Sequence, residues 1–71
     1  MITRKNIIEE ARLLGFSVFP EEEIKPGDFY VAKRNTAIEL FEAKFIGYSL
    51  IFSKEMDYPF NLDECVKVTL E

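Results

Sequence analysis

The chain has 71 residues, with thirteen acids, nine bases, no histidine and one cysteine, for a net charge of −4. This excludes an internal disulfide and a cysteine–histidine zinc site, and it argues against a broadly basic nucleic-acid surface. A chain this short buries roughly 60% of its unfolded surface. It is therefore read as a single domain, residues 1–71, with a core built around seven Phe and three Tyr.

The first segment, MITRKNIIEEARLLGF, carries acids inside its pattern and lacks the apolar stretch of a secretory signal. No apolar run approaches the about 20 residues of a membrane span. With an unpaired cysteine, these features lead to the expectation of a cytoplasmic protein in a reducing compartment. Residues 4–14 predict a helix, with Thr3 as N-cap and an apolar stripe of Ile7, Ile8, Ala11 and Leu14. Gly15 suits the left-handed position after a helix, and Phe16 can fold back onto the last turn. Arg4 and Lys5 stand at the positive end of the helix dipole, which local electrostatics disfavours. Lys5 and Glu9, four apart, offset a little of this.

Ser17 to Phe19 reads as a short extended piece stopped by Pro20. Residues 20–28, PEEEIKPGD, read as an acidic loop. A β-meander over 29–70 follows. Its strands are Phe29 to Arg34, Glu39 to Ile46, Tyr48 to Ser53 and Cys65 to Leu70, with period-2 alternation as the signal. Asn35-Thr36 is the first turn, because Asn tolerates positive φ, and Gly47 is assigned the second. Phe41, Ala43 and Phe45 are expected on one face. Tyr48, Leu50 and Phe52 are expected to alternate against Ser49, Ile51 and Ser53. Ile38, Leu40, Ile46 and Ile51 fall on the opposite parity, so the helix covers them or they form an exposed apolar patch.

The fold class is therefore α+β: an N-terminal helix and a four- to five-stranded antiparallel meander. The order of elements is similar to SH3-like and Tudor-like barrels: Gly27-Asp28 entering the first long strand, two hairpins, a short helical turn, and NLDECVKV leading into the last strand. That resemblance implies a partly closed barrel. The tryptophan pair and acidic-aromatic opening of SH3 domains are absent, and no Tudor aromatic cage is in place.

KEMDYPFNLDEC, residues 54–65, has four carboxylates beside the only cysteine. A catalytic thiol needs a base or cation to hold it as thiolate, and here Asp63 and Glu64 flank Cys65 instead. A calcium loop through Asp57, Asn61, Asp63 and Glu64 would lack the glycine of its sharp bend. The stretch reads as structural: Tyr58-Pro59-Phe60 lays rings on the core, and Asn61 or Asp63 caps one helical turn. The three glycines are isolated, so there is no phosphate-binding loop. No enzyme activity, cofactor or metal is expected.

The expected function is a non-enzymatic protein-binding module or inhibitor, because ten rings exceed what a small interior hides. Tyr30, Tyr48 and Tyr58 are the expected exposed contacts. Lys33, Arg34 and Asn35 stand at a hairpin tip, where function concentrates; a charged hairpin guarding an edge is the favoured explanation of them. Glu21, Glu22, Glu23, Asp28, Glu55 and Asp57 form the acidic surface that would occupy a partner's basic groove. The alternative is a barrel binding single-stranded nucleic acid through strand aromatics, with Lys33, Arg34 and Lys44 on phosphates. A second copy of the chain is a further candidate partner.

Overall fold

The computed structural model describes residues 4–55 and 59–69. The predicted Thr3 cap and the sites at Asp57, Tyr58 and Leu70 lie outside them. Among the described residues the chain forms one helix and one six-stranded sheet. The helix is α1 (Arg4–Leu13). The strands are β1 (Ser17–Phe19), β2 (Phe29–Arg34), β3 (Ala37–Gly47), β4 (Leu50–Ser53), β5 (Phe60–Asn61) and β6 (Cys65–Thr69). A 3-10 turn, Leu62–Glu64, leads into β6.

Helix α1 forms for the reason its stripe predicts. Ile7 and Ala11 are fully buried and pack with Val31, Val66 and Val68 of the sheet, with Ile8 at the margin. It ends in a paired carbonyl lock: Gly15 takes φ 94, its N–H donates to Arg12 O at 3.0 Å, and Phe16 N–H donates to Ala11 O at 3.1 Å. This satisfies two otherwise unpaired helix carbonyls. Phe16 then packs with the cluster under the helix. Leu14 does not complete the stripe. The helix closes at Leu13, and both leucines point into solvent.

The sheet is antiparallel throughout, in the order β1-β6-β2-β3-β4-β5. The short piece after the helix is therefore a true strand, pairing Ser17 with Thr69 and Phe19 with Lys67. The strand count exceeds the predicted four to five because β1 and the two-residue β5 join at the edges. The sheet is open, since no pairing links β1 to β5. Between β1 and β2, Lys25-Pro26-Gly27-Asp28 makes a tight turn. Asp28 N–H donates to Lys25 O at 2.9 Å, and Gly27 takes φ 94, the pattern for which Pro-Gly is suited.

Both faces of the central strands are buried. Under the helix lie Val31, Val66, Val68 and the half-buried Phe29, Ile38 and Leu40. On the other face lie Tyr30, Ala32, Phe41, Ala43, Ile51 and Cys65, with Ile24, Ile46, Phe60 and Leu62 packed on them. Tyr30, Phe41 and Phe60 form its aromatic centre, with ring centroids 5.0–6.2 Å apart. The second apolar face is thus covered: the helix takes Ile38 and Leu40, and the opposite core takes Ile46 and Ile51.

This overturns the placement of Tyr30 as an exposed contact, because its side chain is 0% exposed. The expected parity of β3 and β4 also reverses beyond Ala43. The register shifts between Ala43 and Phe45, from Ala43 opposite Ser53 to Phe45 opposite Phe52. This bulge sends Phe45 outward and Ile46 inward, as an extra residue in one strand must.

Candidate functional site

Among the described residues, the β3–β4 hairpin presents the main exposed aromatic surface. Phe45 and Phe52, opposite each other across the strands, stack at 4.3 Å between centroids with 14° between planes. Phe45 is nevertheless 49% exposed. Gly47 pairs with Leu50, so the connection is the two-residue loop Tyr48-Ser49. Gly47 stays in the strand, contrary to its expected turn role, and Tyr48 adopts φ 53 with its side chain fully exposed. The β2–β3 hairpin is built alike: Arg34 pairs with Ala37 and Asn35 takes φ 58, as predicted. Asn fits that backbone well, whereas an aromatic residue pays a steric penalty there.

Beside Tyr48 opens a shallow cavity of about 460 Å³. Ile24, Ile46 and Leu62, which also pack on the core, supply its apolar floor. Tyr48, Glu22, Glu23, Asp63 and Arg4 complete its lining. Three connections hold this mouth together. Leu62 N–H donates to Ser49 O at 2.8 Å, tying the 3-10 turn to the hairpin loop. Arg4 donates to Cys65 O at 3.3 Å and to Pro20 O, joining the helix start to β6 and the acidic loop. Those bonds give a reason for the cation that the helix dipole alone disfavours. Lys67 contacts Glu22 at 3.2 Å and Asp28 at 3.5 Å, and the Glu22 hydrogen bond raises its pKa.

The predicted acidic surface therefore divides by role. Asp28 is half-buried; besides facing Lys67, its carboxylate accepts the Lys25 N–H at 2.8 Å. Glu55 accepts the Glu42 N–H next to the bulge at 3.3–3.4 Å. Glu22 faces Lys67. Glu21 and Glu23 are exposed, and Glu23 reaches the mouth. Of the predicted contacts, the fold brings Tyr48, Glu22 and Glu23 together. Lys33, Arg34 and Asn35 sit by the other hairpin, at the opposite end of β3. There Lys33 pairs with Glu10 and Arg34 with Glu39, each at 3.6 Å.

Sequence reasoning missed Phe45, Phe52, Ile24, Ile46 and Leu62 as surface or floor residues. One local signal was available: Ile24 is the sole large apolar residue in an otherwise charged loop. Asn61 occupies the N-cap position of the 3-10 turn but makes no side-chain cap bond, and its amide donates to Glu64 at 3.0 Å instead.

Two buried groups bear on reactivity. Burial pushes the Cys65 thiol pKa up to about 12, with Glu64 and Asp63 adding to the shift; its Sγ lies 3.3 Å from Asn61 O. Burial also raises the Tyr30 hydroxyl, tempered by Ser53, which is the polar side chain facing it. Among the described residues that hydroxyl meets no partner at full hydrogen-bond geometry. Among the described residues, no group of three His, Cys, Asp or Glu side chains is placed to hold a metal ion. Nor is any helix there long and apolar enough to cross a membrane. Comparison with known proteins finds no matching family model, no matching curated protein and no matching solved structure.

Proposed function

We propose that this chain is a non-enzymatic protein-recognition module whose contact surface is the β3–β4 hairpin and the mouth beside it. The observation that carries the reading is Tyr48. Its ring is fully exposed and sits on a left-handed backbone position that glycine or asparagine would occupy at lower cost. Among the described residues, nothing in the packing calls for tyrosine there. The adjacent Phe45–Phe52 stack extends the same exposed hairpin. Rigid aromatics with few rotatable bonds are suited to interface cores.

As an inhibitor, the module would meet its partner through the mouth and the exposed Glu21 and Glu23, rather than through Asp28 or Glu55. The strand order β6-β2-β3-β4-β5, with a 3-10 turn before β6, supports an SH3-like assignment with β1 and α1 as additions. The nucleic-acid alternative has less behind it, since Lys33 and Arg34 face carboxylates.

The test is affinity capture from the native host with wild type and the Phe45→Ser/Tyr48→Asn double variant, alongside sedimentation of the purified chain. The reading expects specific partners lost from the variant while its fold persists. Sedimentation of wild type as a dimer that the variant abolishes would identify the partner as a second copy. Unchanged capture and a monomer in both would sink the reading.

A further inference from the structure

Resting on that reading, we infer that the mouth between the acidic loop, the β3–β4 hairpin and the 3-10 turn is a receptor for a cationic side chain of the partner, with arginine the best fit. The argument is one of charge and shape. The lining carries the carboxylates Glu22, Glu23 and Asp63 against the single cation Arg4, an excess of two negative charges, and Lys67 is paired with Glu22 and Asp28. Both cations are already engaged within the protein. Arg4 is held by two backbone carbonyls, and Lys67 lies between Glu22 and Asp28. An anionic ligand therefore meets a lining of net negative charge, which Arg4 offsets only in part.

The floor is apolar, made by Ile24, Ile46 and Leu62. It would take the aliphatic stem of a long side chain, which packs on apolar surface while its charged head stays near solvent. Tyr48 supplies an exposed ring at the rim, and a guanidinium stacks on such a face within about 6 Å. Arginine combines that stacking with forked donation to carboxylates, here Glu23 and Asp63. A cavity of about 460 Å³ is large enough for one such side chain and its flanking backbone.

The test is an amide chemical-shift titration of the whole chain with three capped tripeptides: Leu-Arg-Leu, Leu-norleucine-Leu and Leu-Glu-Leu. The arginine peptide should bind saturably and shift the amides of Ile24, Ile46, Tyr48 and Leu62. The norleucine peptide should bind at least about fivefold more weakly, and Glu23→Gln with Asp63→Asn should cost the arginine peptide about two- to tenfold. Salt should weaken it further, because the mouth is open to solvent. Equal binding of the norleucine peptide would overturn the cationic assignment while leaving the mouth an interface. Preference for the glutamate peptide, or no shift at the mouth with any peptide, would also overturn it. The capture experiment decides separately on the recognition reading.

Discussion

Replacing Tyr48 by asparagine should stabilise the protein. A non-glycine residue in the left-handed region costs roughly 1–2 kcal/mol, and asparagine recovers much of it through its short polar side chain. Little opposes this gain, because the Tyr48 side chain is fully exposed and gives up no buried area. The expected net gain is about 0.5–1 kcal/mol. Tyr48→Gly should gain a similar amount, since complete relief of strain is offset by about 0.4–1 kcal/mol of added unfolded-state entropy. At a urea m-value of about 1 kcal/mol/M, the midpoint should rise by about 0.5–1 M with an unchanged slope. The β2–β3 hairpin provides the control. Asn35 takes φ 58 in an equivalent loop, so Asn35→Ala should lower the midpoint by a comparable amount. A lower midpoint for Tyr48→Asn would refute the reasoning, because it would mean that the tyrosine ring supports the fold.

Tyr30→Phe should leave stability unchanged or raise it, since it removes a buried hydroxyl without a well-formed bond while keeping the ring stack. Tyr30→Ala should cost about 3–5 kcal/mol, enough to unfold a domain of this size, as read by circular dichroism. Alkaline pH should destabilise the fold partly through Cys65. The unfolded thiol ionises near 9.0, but the folded one resists to about 12. The unfolded chain therefore releases the proton first, and stability falls as pH rises through that window, by about 1.4 kcal/mol per unit for this group. Cys65→Ser should flatten the loss above pH 9.0, and an unchanged slope would assign it elsewhere. Gly15→Ala should lower the urea midpoint by the equivalent of about 1–2 kcal/mol, since φ 94 is closed to a β-carbon without strain.

The helix was legible because both its signals are local: apolar spacing over Ile7, Ile8 and Ala11, and Gly15 at the end. The strands were legible as segments, yet their faces were not. Alternation identifies a core face only when one side of a strand meets water. In β2, the consecutive residues Tyr30, Val31 and Ala32 are all buried, which marks a strand covered on both sides. Reading the run Phe29-Tyr30-Val31-Ala32 that way would have placed Tyr30 inside. The bulge near Lys44 left no residue signature, since neither glycine nor proline marks it, so the parity of Phe45 and Ile46 came out inverted. Gly47 drew the turn one residue early. The mouth joins residues 4, 22–24, 46, 48 and 62–63, and their meeting depends on how distant parts of the chain come together, which no local pattern carries. Surplus aromatics did point to exposed rings, but Phe45 and Tyr48 hold that surface and Tyr30 belongs to the core.

The central claim is that the β3–β4 hairpin serves recognition rather than folding. The most direct measurement compares the amide hydrogen exchange of residues 44–52 in the free protein with that in a partner complex captured from the host. The account predicts slower exchange across Tyr48 and its neighbours in the complex, with the β2–β3 tip at Asn35 unchanged. Protection confined to the Asn35 tip or to the exposed helix end at Leu13, with the β3–β4 loop exchanging as in the free protein, would contradict it.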